Sequence, residues 1–81
     1  MVGILEYRMK DIIVKNKLKL ARVEKDLTQQ QLADLVGVTR QTIGLIEAGN
    51  YNPTLKLCFM LATITDITLD ELFWIEGDFI E

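Results

Sequence analysis

The stretch that decides the fold is Leu27-Thr-Gln-Gln-Gln-Leu-Ala-Asp-Leu-Val-Gly-Val-Thr-Arg-Gln-Thr-Ile43. Thr28 followed by Gln31 fits a capping box, in which a threonine hydroxyl and the third following side chain satisfy each other's end of a helix start. A helix is therefore expected over Gln29–Val36, with Leu32, Ala33, Leu35 and Val36 turned inward. Gly37 is a natural left-handed stop. Thr39 is a second N-cap, without a reciprocal Glu or Gln. It opens a helix from Arg40 to about Ala48 that ends at Gly49. Ala33 is small enough to let the two helices approach, Gly37 takes the tight turn, and Ile43 is expected to bury under the preceding helix. The second helix is polar at its front and carries Gly44 at its centre, where a glycine costs about 1 kcal/mol relative to alanine.

The same punctuation runs outward in both directions. Thr54 reads as an N-cap, and Thr68-Leu-Asp-Glu71 as a second capping box. Helices follow over Leu55–Thr65, with Leu57, Met60, Leu61 and Ile64 at helical spacing, and over Leu69 to about Phe73. Asn50-Tyr-Asn-Pro53 is a loop, since Pro53 lacks an amide hydrogen and biases Asn52 to extended geometry. An earlier helix is expected from about Lys15 to Lys25, with Leu18, Ala21, Arg22 and Val23 on one face and Leu27 closing it. Asp11–Val14 is β-branched, and Phe73–Ile75 is aromatic and β-branched; each reads as a strand, and lone strands gain little unless they pair. The expected fold is all-α: five helices, with a small two-stranded antiparallel element formed by the N- and C-terminal segments. The expected division is an extension and strand at 1–14, a helical domain at 15–74 and an acidic tail at 75–81.

Composition narrows the function. With 81 residues, 26% charged and 49% hydrophobic, the chain is one small globular domain whose core is marginal without help, and a dimer would supply it. No apolar run is long enough to span a bilayer and no signal peptide is evident, so a cytoplasmic protein with no membrane partner is expected. One cysteine, Cys58, and no histidine argue against a disulfide, a metal site and imidazole catalysis. No cofactor, metal or small-molecule ligand is expected, and no catalytic residue. Cys58 and Met60 read as core filler. Trp74 reads equally as a core plug or a dimer contact. The net charge is −3, but residues 1–56 hold nine Lys/Arg against six Asp/Glu, while residues 57–81 hold six acids and no Lys or Arg. A polyanion sees only the nearest face, because salt screens charge beyond about 10 Å.

Two helices around a three-residue turn hold the second helix out from the body, so that its first turn can enter a DNA major groove. Gln41 suits a bidentate contact to adenine, and Arg40 suits guanine or a phosphate. Gln29 and the first amides of the helices after Thr28 and Thr54 suit phosphates, because helix N-termini attract anions. Asn50, Tyr51 and Lys56 are second-line phosphate contacts. Lys15, Lys17, Lys19 and Lys25 read as the wet side of the first helix.

From Leu18 to about Trp74 the chain resembles the helix-turn-helix DNA-binding domain of phage repressors and their bacterial relatives, the Cro/repressor type. The matching phrases are residues 27–43, quoted above, and Ile46-Glu-Ala-Gly-Asn-Tyr-Asn-Pro-Thr54. The resemblance implies five helices around one core, a homodimer on a two-fold operator in double-stranded DNA, and transcriptional control, most often repression. It implies that Gln29, with Gln30 beside it, opens the helix that touches the DNA backbone. It also implies that Thr39, Arg40, Gln41 and Thr42 begin the recognition helix, and that Arg22 and Glu47 form a structural pair between the first and third helices.

The chain departs from the family pattern at three places. Gly44 and Leu45 stand where relatives often carry polar or basic side chains; Leu45 can touch a thymine methyl, and Gly44 either permits close backbone approach or is an emptied contact. Asp26 stands where relatives commonly have glycine, a left-handed position that aspartate fills at some cost. Together with the acidity, Gly44 and Leu45 keep open an alternative on the same fold, an antitoxin or adaptor module that binds protein. Leu5-Glu6 can be encoded TTG-GAG, setting a ribosome-binding GGAG shortly before the Met9 codon, so residues 1–8 read as an optional extension or a misplaced start.

Overall fold

A computed structural model describes residues 12–76 of the chain. The elements run β1 (Ile13–Asn16), α1 (Leu18–Glu24), α2 (Gln29–Val36), α3 (Arg40–Glu47), α4 (Leu55–Thr65), α5 (Leu69–Leu72) and β2 (Phe73–Glu76). Among the described residues this is the expected five-helix fold with a two-stranded antiparallel sheet. The proposed alternative start at Met9 lies outside the described residues, as does Asp11.

Local chemistry sets the helix starts. The Thr28 hydroxyl accepts from the Gln31 amide at 3.0 Å while the Gln31 side chain accepts from the Thr28 amide at 2.9 Å. Thr39 caps Thr42 and Thr54 caps Leu57, both at 3.2 Å. The box expected at Thr68 does not form. Because α5 is a single turn, the Glu71 amide bonds the Thr68 carbonyl. The Thr68 hydroxyl instead donates to the Glu71 carboxylate at 2.9 Å. Gly37 ends α2 at φ +75°, with the Val38 amide bonded to the Ala33 carbonyl at 3.0 Å. A Cβ built on Gly37 meets nothing within 4 Å, so the position demands glycine for its backbone angle and not for space. Asp26 holds the left-handed position between α1 and α2, at φ 56°.

The six largest fully buried side chains are Leu18, Leu32, Ile43, Ile46, Leu61 and Leu72. Each helix contributes one and α3 two, so α3 is held by its underside, with Ile43 and Ile46 buried among the other helices. Two expected core residues are not in it. Leu35 is 55% exposed and Val23 52%. They flank the apolar stripes of α2 and α1 on the side that no neighbouring helix covers. Met60 and Ile64 pack against the core while staying partly open.

The N-terminal boundaries also differ from expectation. β1 runs through Asn16, two residues beyond Val14, and α1 starts at Leu18 instead of Lys15. The register Val14↔Ile75, Lys15↔Trp74 and Asn16↔Phe73 draws Lys15 and Asn16 into the ladder. Asn16 then turns the chain into α1: its Oδ1 accepts from the Leu18 amide at 2.9 Å, and its Nδ2 donates to the Ile46 carbonyl at 2.8 Å. The Lys17 amide bonds the Leu72 carbonyl at 3.1 Å. Trp74, 40% exposed and opposite Lys15, is not a core plug.

Arg22 and Glu47 form the expected pair, with Arg22 Nε 2.7 Å from Glu47 Oε2 and the side chains 11% and 6% exposed. Arg22 Nη1 also donates to the Leu27 carbonyl at 2.8 Å. Removing one member strands a buried charge, whereas removing both does not.

Two stability outcomes are expected in urea unfolding. Gly37→Ala costs about 1 kcal/mol, the left-handed penalty less the gain from a stiffer unfolded chain. Arg22→Met alone costs about 3 kcal/mol or more, while R22M/E47L is more stable than either single variant; equal losses in the single and double variants would contradict the pairing.

Candidate nucleic-acid interface

Helical geometry sorts the residues of α3. Ile43 and Ile46 point into the core. Positions 40, 41, 44 and 45 then share the opposite face, since residues i, i+1, i+4 and i+5 lie together on a helix. Arg40, Gln41 and Leu45 are exposed on that face, Leu45 to 37%. The face is therefore short and mixed: a guanidinium, an amide, a gap at Gly44 and a branched apolar side chain. An exposed Arg and Gln on a rigid helix present bidentate donor and acceptor pairs of the kind that base edges match.

Thr39 and Thr42 are at the same end but already occupied. Thr39 Oγ1 caps the Thr42 amide and lies 3.0 Å from Thr42 Oγ1. They hold the first turn of α3 in place. Gln30 is exposed and donates to Asp34 one turn on, at 2.9 Å. Tyr51 and Lys56 are exposed and line one shallow groove together with Val38, the residue before Thr39. Asn50 is exposed, and its amide closes α3 on the Leu45 carbonyl at 2.9 Å.

Gln29 opens α2 as expected, and its side chain has a partner that the sequence does not show. Its side chain lies across α3 and donates from Nε2 to Glu47 Oε1 at 3.0 Å. The pair of Arg22 and Glu47 is thus a triad that joins α1, the start of α2 and the end of α3. Sequence reading missed this link and missed Asn16. A short polar side chain two residues before the first buried leucine of α1 was the available signal for Asn16. No local signal marks the Gln29–Glu47 bond, whose partners are 18 residues apart.

Cys58 is a free, half-buried cysteine. Burial pushes its thiol up from its ordinary value, opposed by a backbone hydrogen bond. A raised value disfavours the thiolate, the nucleophilic form.

The chain has clear relatives. A helix-turn-helix family profile matches residues 18–72. An HTH-type transcriptional regulator of Methanocaldococcus jannaschii is 46% identical over 65 residues, spanning 80% of this chain and 98% of that one. YgzD, an HTH-type transcriptional regulator of Bacillus subtilis, is 38% identical over 65 residues, with the same coverage of 80% and 98%. Among solved structures, the restriction-modification controller protein C.AhdI from Aeromonas hydrophila superposes with a TM-score of 0.61 at 39% identity, over 67% of this chain and 78% of that one. The transcriptional regulator VanUg superposes at 0.65 with 14% identity, over 84% and 91%, and supports the fold alone. With a buried Arg22–Glu47 pair behind an outward-facing third helix, and with transcriptional regulators instead of enzymes as its relatives, the chain belongs to the helix-turn-helix family of the Cro/repressor type.

Proposed function

We propose that the protein is a repressor that binds a two-fold operator as a homodimer, with α3 in the major groove. The observation that carries this reading is the exposed face of α3, where Arg40 and Gln41 project from a helix whose other side is locked into the core. Gln41 reads adenine and Arg40 guanine or phosphate, while Leu45 contacts a thymine methyl. Gln29, Gln30, Thr39, Thr42, Asn50, Tyr51 and Lys56 are assigned to backbone positioning. The proposed division is an extension at 1–14, a DNA-binding domain at 15–74 and an acidic tail at 75–81, with the paired strands reaching outward from the domain to Ile13 and Glu76. A DNA target accords with a cytoplasmic protein; among the described residues no helix is long and apolar enough to cross a membrane. Repression is by occupancy, the dimer blocking polymerase.

Self-association is supported by an apolar groove of about 600 Å³ between α2 and α4, lined by Leu35, Leu55, Phe59, Met60 and Ile64. Leu55 is 65% exposed and Phe59 53%. Side chains this apolar, side by side on so small a domain, are what a second copy would cover. Two recognition helices related by a two-fold axis read half-sites about 34 Å apart.

The adaptor reading draws on the net charge of −3 and on Leu45 at the middle of the α3 face. Gel shifts at low salt over a library of random duplexes separate the two: enrichment of an inverted repeat is expected, and no retained DNA at all would favour the adaptor.

With the selected site in hand, Gln41→Ala is expected to weaken binding by about 1–3 kcal/mol and to relax preference at one base position. An unchanged preference would contradict a base-reading role. Phe59→Glu is expected to convert the dimer to a monomer in sedimentation and to weaken operator binding in parallel; a Phe59→Glu dimer would place the interface elsewhere.

A further inference from the structure

Gly44 is the one position on the exposed α3 face without a side chain, and its neighbour in space is Gln29. A Cβ built on Gly44 comes 3.7 Å from Gln29 Nε2, an ordinary contact, and meets nothing else within 4 Å. The same nitrogen donates to Glu47 Oε1 at 3.0 Å. Glu47 lies one turn beyond Gly44, so the Gln29 side chain reaches Glu47 by lying over the bare stretch of helix. The carboxylate is already paired with Arg22 at 2.7 Å. A primary amide nitrogen carries two hydrogens, and the bond to Glu47 uses one.

We propose that Gly44 is the seat of the Gln29 amide, and that Glu47, reached across that seat, positions the second N–H of Gln29 for a DNA phosphate. The proposal rests on the reading of this surface as a DNA interface. It assigns Gly44 and Glu47 as positioning residues and leaves the phosphate contact to Gln29. The electrostatics are consistent along the chain of groups. A bare carboxylate here would repel a phosphate; Arg22 neutralises it from behind and Gln29 covers it from the front. Holding a flexible side chain in its bound rotamer before DNA arrives removes an ordering cost of roughly 0.5–1.5 kcal/mol from association.

This reading separates from the two others open to a bare position. If Gly44 served close approach of the α3 backbone to DNA, even a methyl group would be too much. If it were only an emptied contact, larger side chains would be tolerated. The seat tolerates alanine, at 3.7 Å, and rejects valine, whose two γ-carbons fill the directions from Cβ that Gln29 occupies. Valine is no worse than glycine in helix propensity, so the variant keeps its fold.

The test measures operator affinity for the wild type, Gly44→Ala, Gly44→Val, Gln29→Ala and the double variant Q29A/G44V, together with the Gln29 side-chain amide resonances of the free proteins. Gly44→Ala is expected within about twofold of the wild type. Gly44→Val is expected to lose about tenfold, the scale of one charge-assisted hydrogen bond. In the Gln29→Ala background the valine should cost nothing further. The Gln29 amide protons should shift in Gly44→Val and stay in place in Gly44→Ala. A loss in Gly44→Ala, or a valine penalty that persists without Gln29, would overturn the seat, as would amide resonances that ignore valine. If the wild type binds no duplex while the amide protons still respond to valine, the seat stands as structure, and it is the DNA-binding reading that fails.

Discussion

The buried contact between Arg22 and Glu47 is the constraint on which the rest of the domain depends. Its 2.7 Å bond fixes the end of α3 to α1. Nη1 of the same guanidinium fixes the carbonyl of Leu27, which leads into α2. The remaining carboxylate oxygen fixes the start of α2 through Gln29. One ion pair therefore sets the relative placement of three helices. Such a pair is expensive to bury, and a hydrophobic replacement often matches or exceeds it in stability. What it adds here is direction: greasy contacts between Ile43, Ile46 and their neighbours allow α3 to slide or roll, whereas the directed hydrogen bonds from Arg22 and Gln29 to Glu47 do not.

Much of the architecture is legible from residues whose effects are local. Thr28, Thr39 and Thr54 act within one turn, so their caps follow from type and spacing alone. Gly37 marks a left-handed position for the same reason, whereas that of Asp26 follows from the glycine that relatives carry there. Legibility fails where the outcome depends on a distant partner. Leu35 and Val23 are apolar and helically spaced, yet stay about half exposed, and periodicity cannot say which flank of a stripe another helix will reach. Lys15 and Asn16 look like the first turn of a helix and become strand because Phe73 and Trp74 pair with them across the molecule. Thr68 has the sequence of a capping box, but a four-residue helix leaves its hydroxyl free to bond the Glu71 carboxylate instead.

The candidate interface divides along the same line. The exposed face of α3 follows from spacing, because the buried pair Ile43 and Ile46 determines which way Arg40, Gln41 and Leu45 must point. The internal ties do not. Gln29 reads as a phosphate contact at a helix start, with no sign that it is bonded across α3; Asn16 reads as one more helix residue and holds the carbonyl of Ile46. Both link α3 to the body, and both are polar side chains whose partners lie on other elements.

The short ladder has a mechanical consequence. Its antiparallel register sets Ile13 opposite Glu76, so the chain enters and leaves the helical body at neighbouring points. Tension applied through the two flanking segments would load the ladder as a zipper, one rung at a time, beginning with Ile13 and Glu76. The last rung, Asn16 with Phe73, adjoins the side chain that holds the end of α3. A pull on the ends therefore reaches Asn16, and through its bond to the Ile46 carbonyl the end of α3, only after every outer rung has opened.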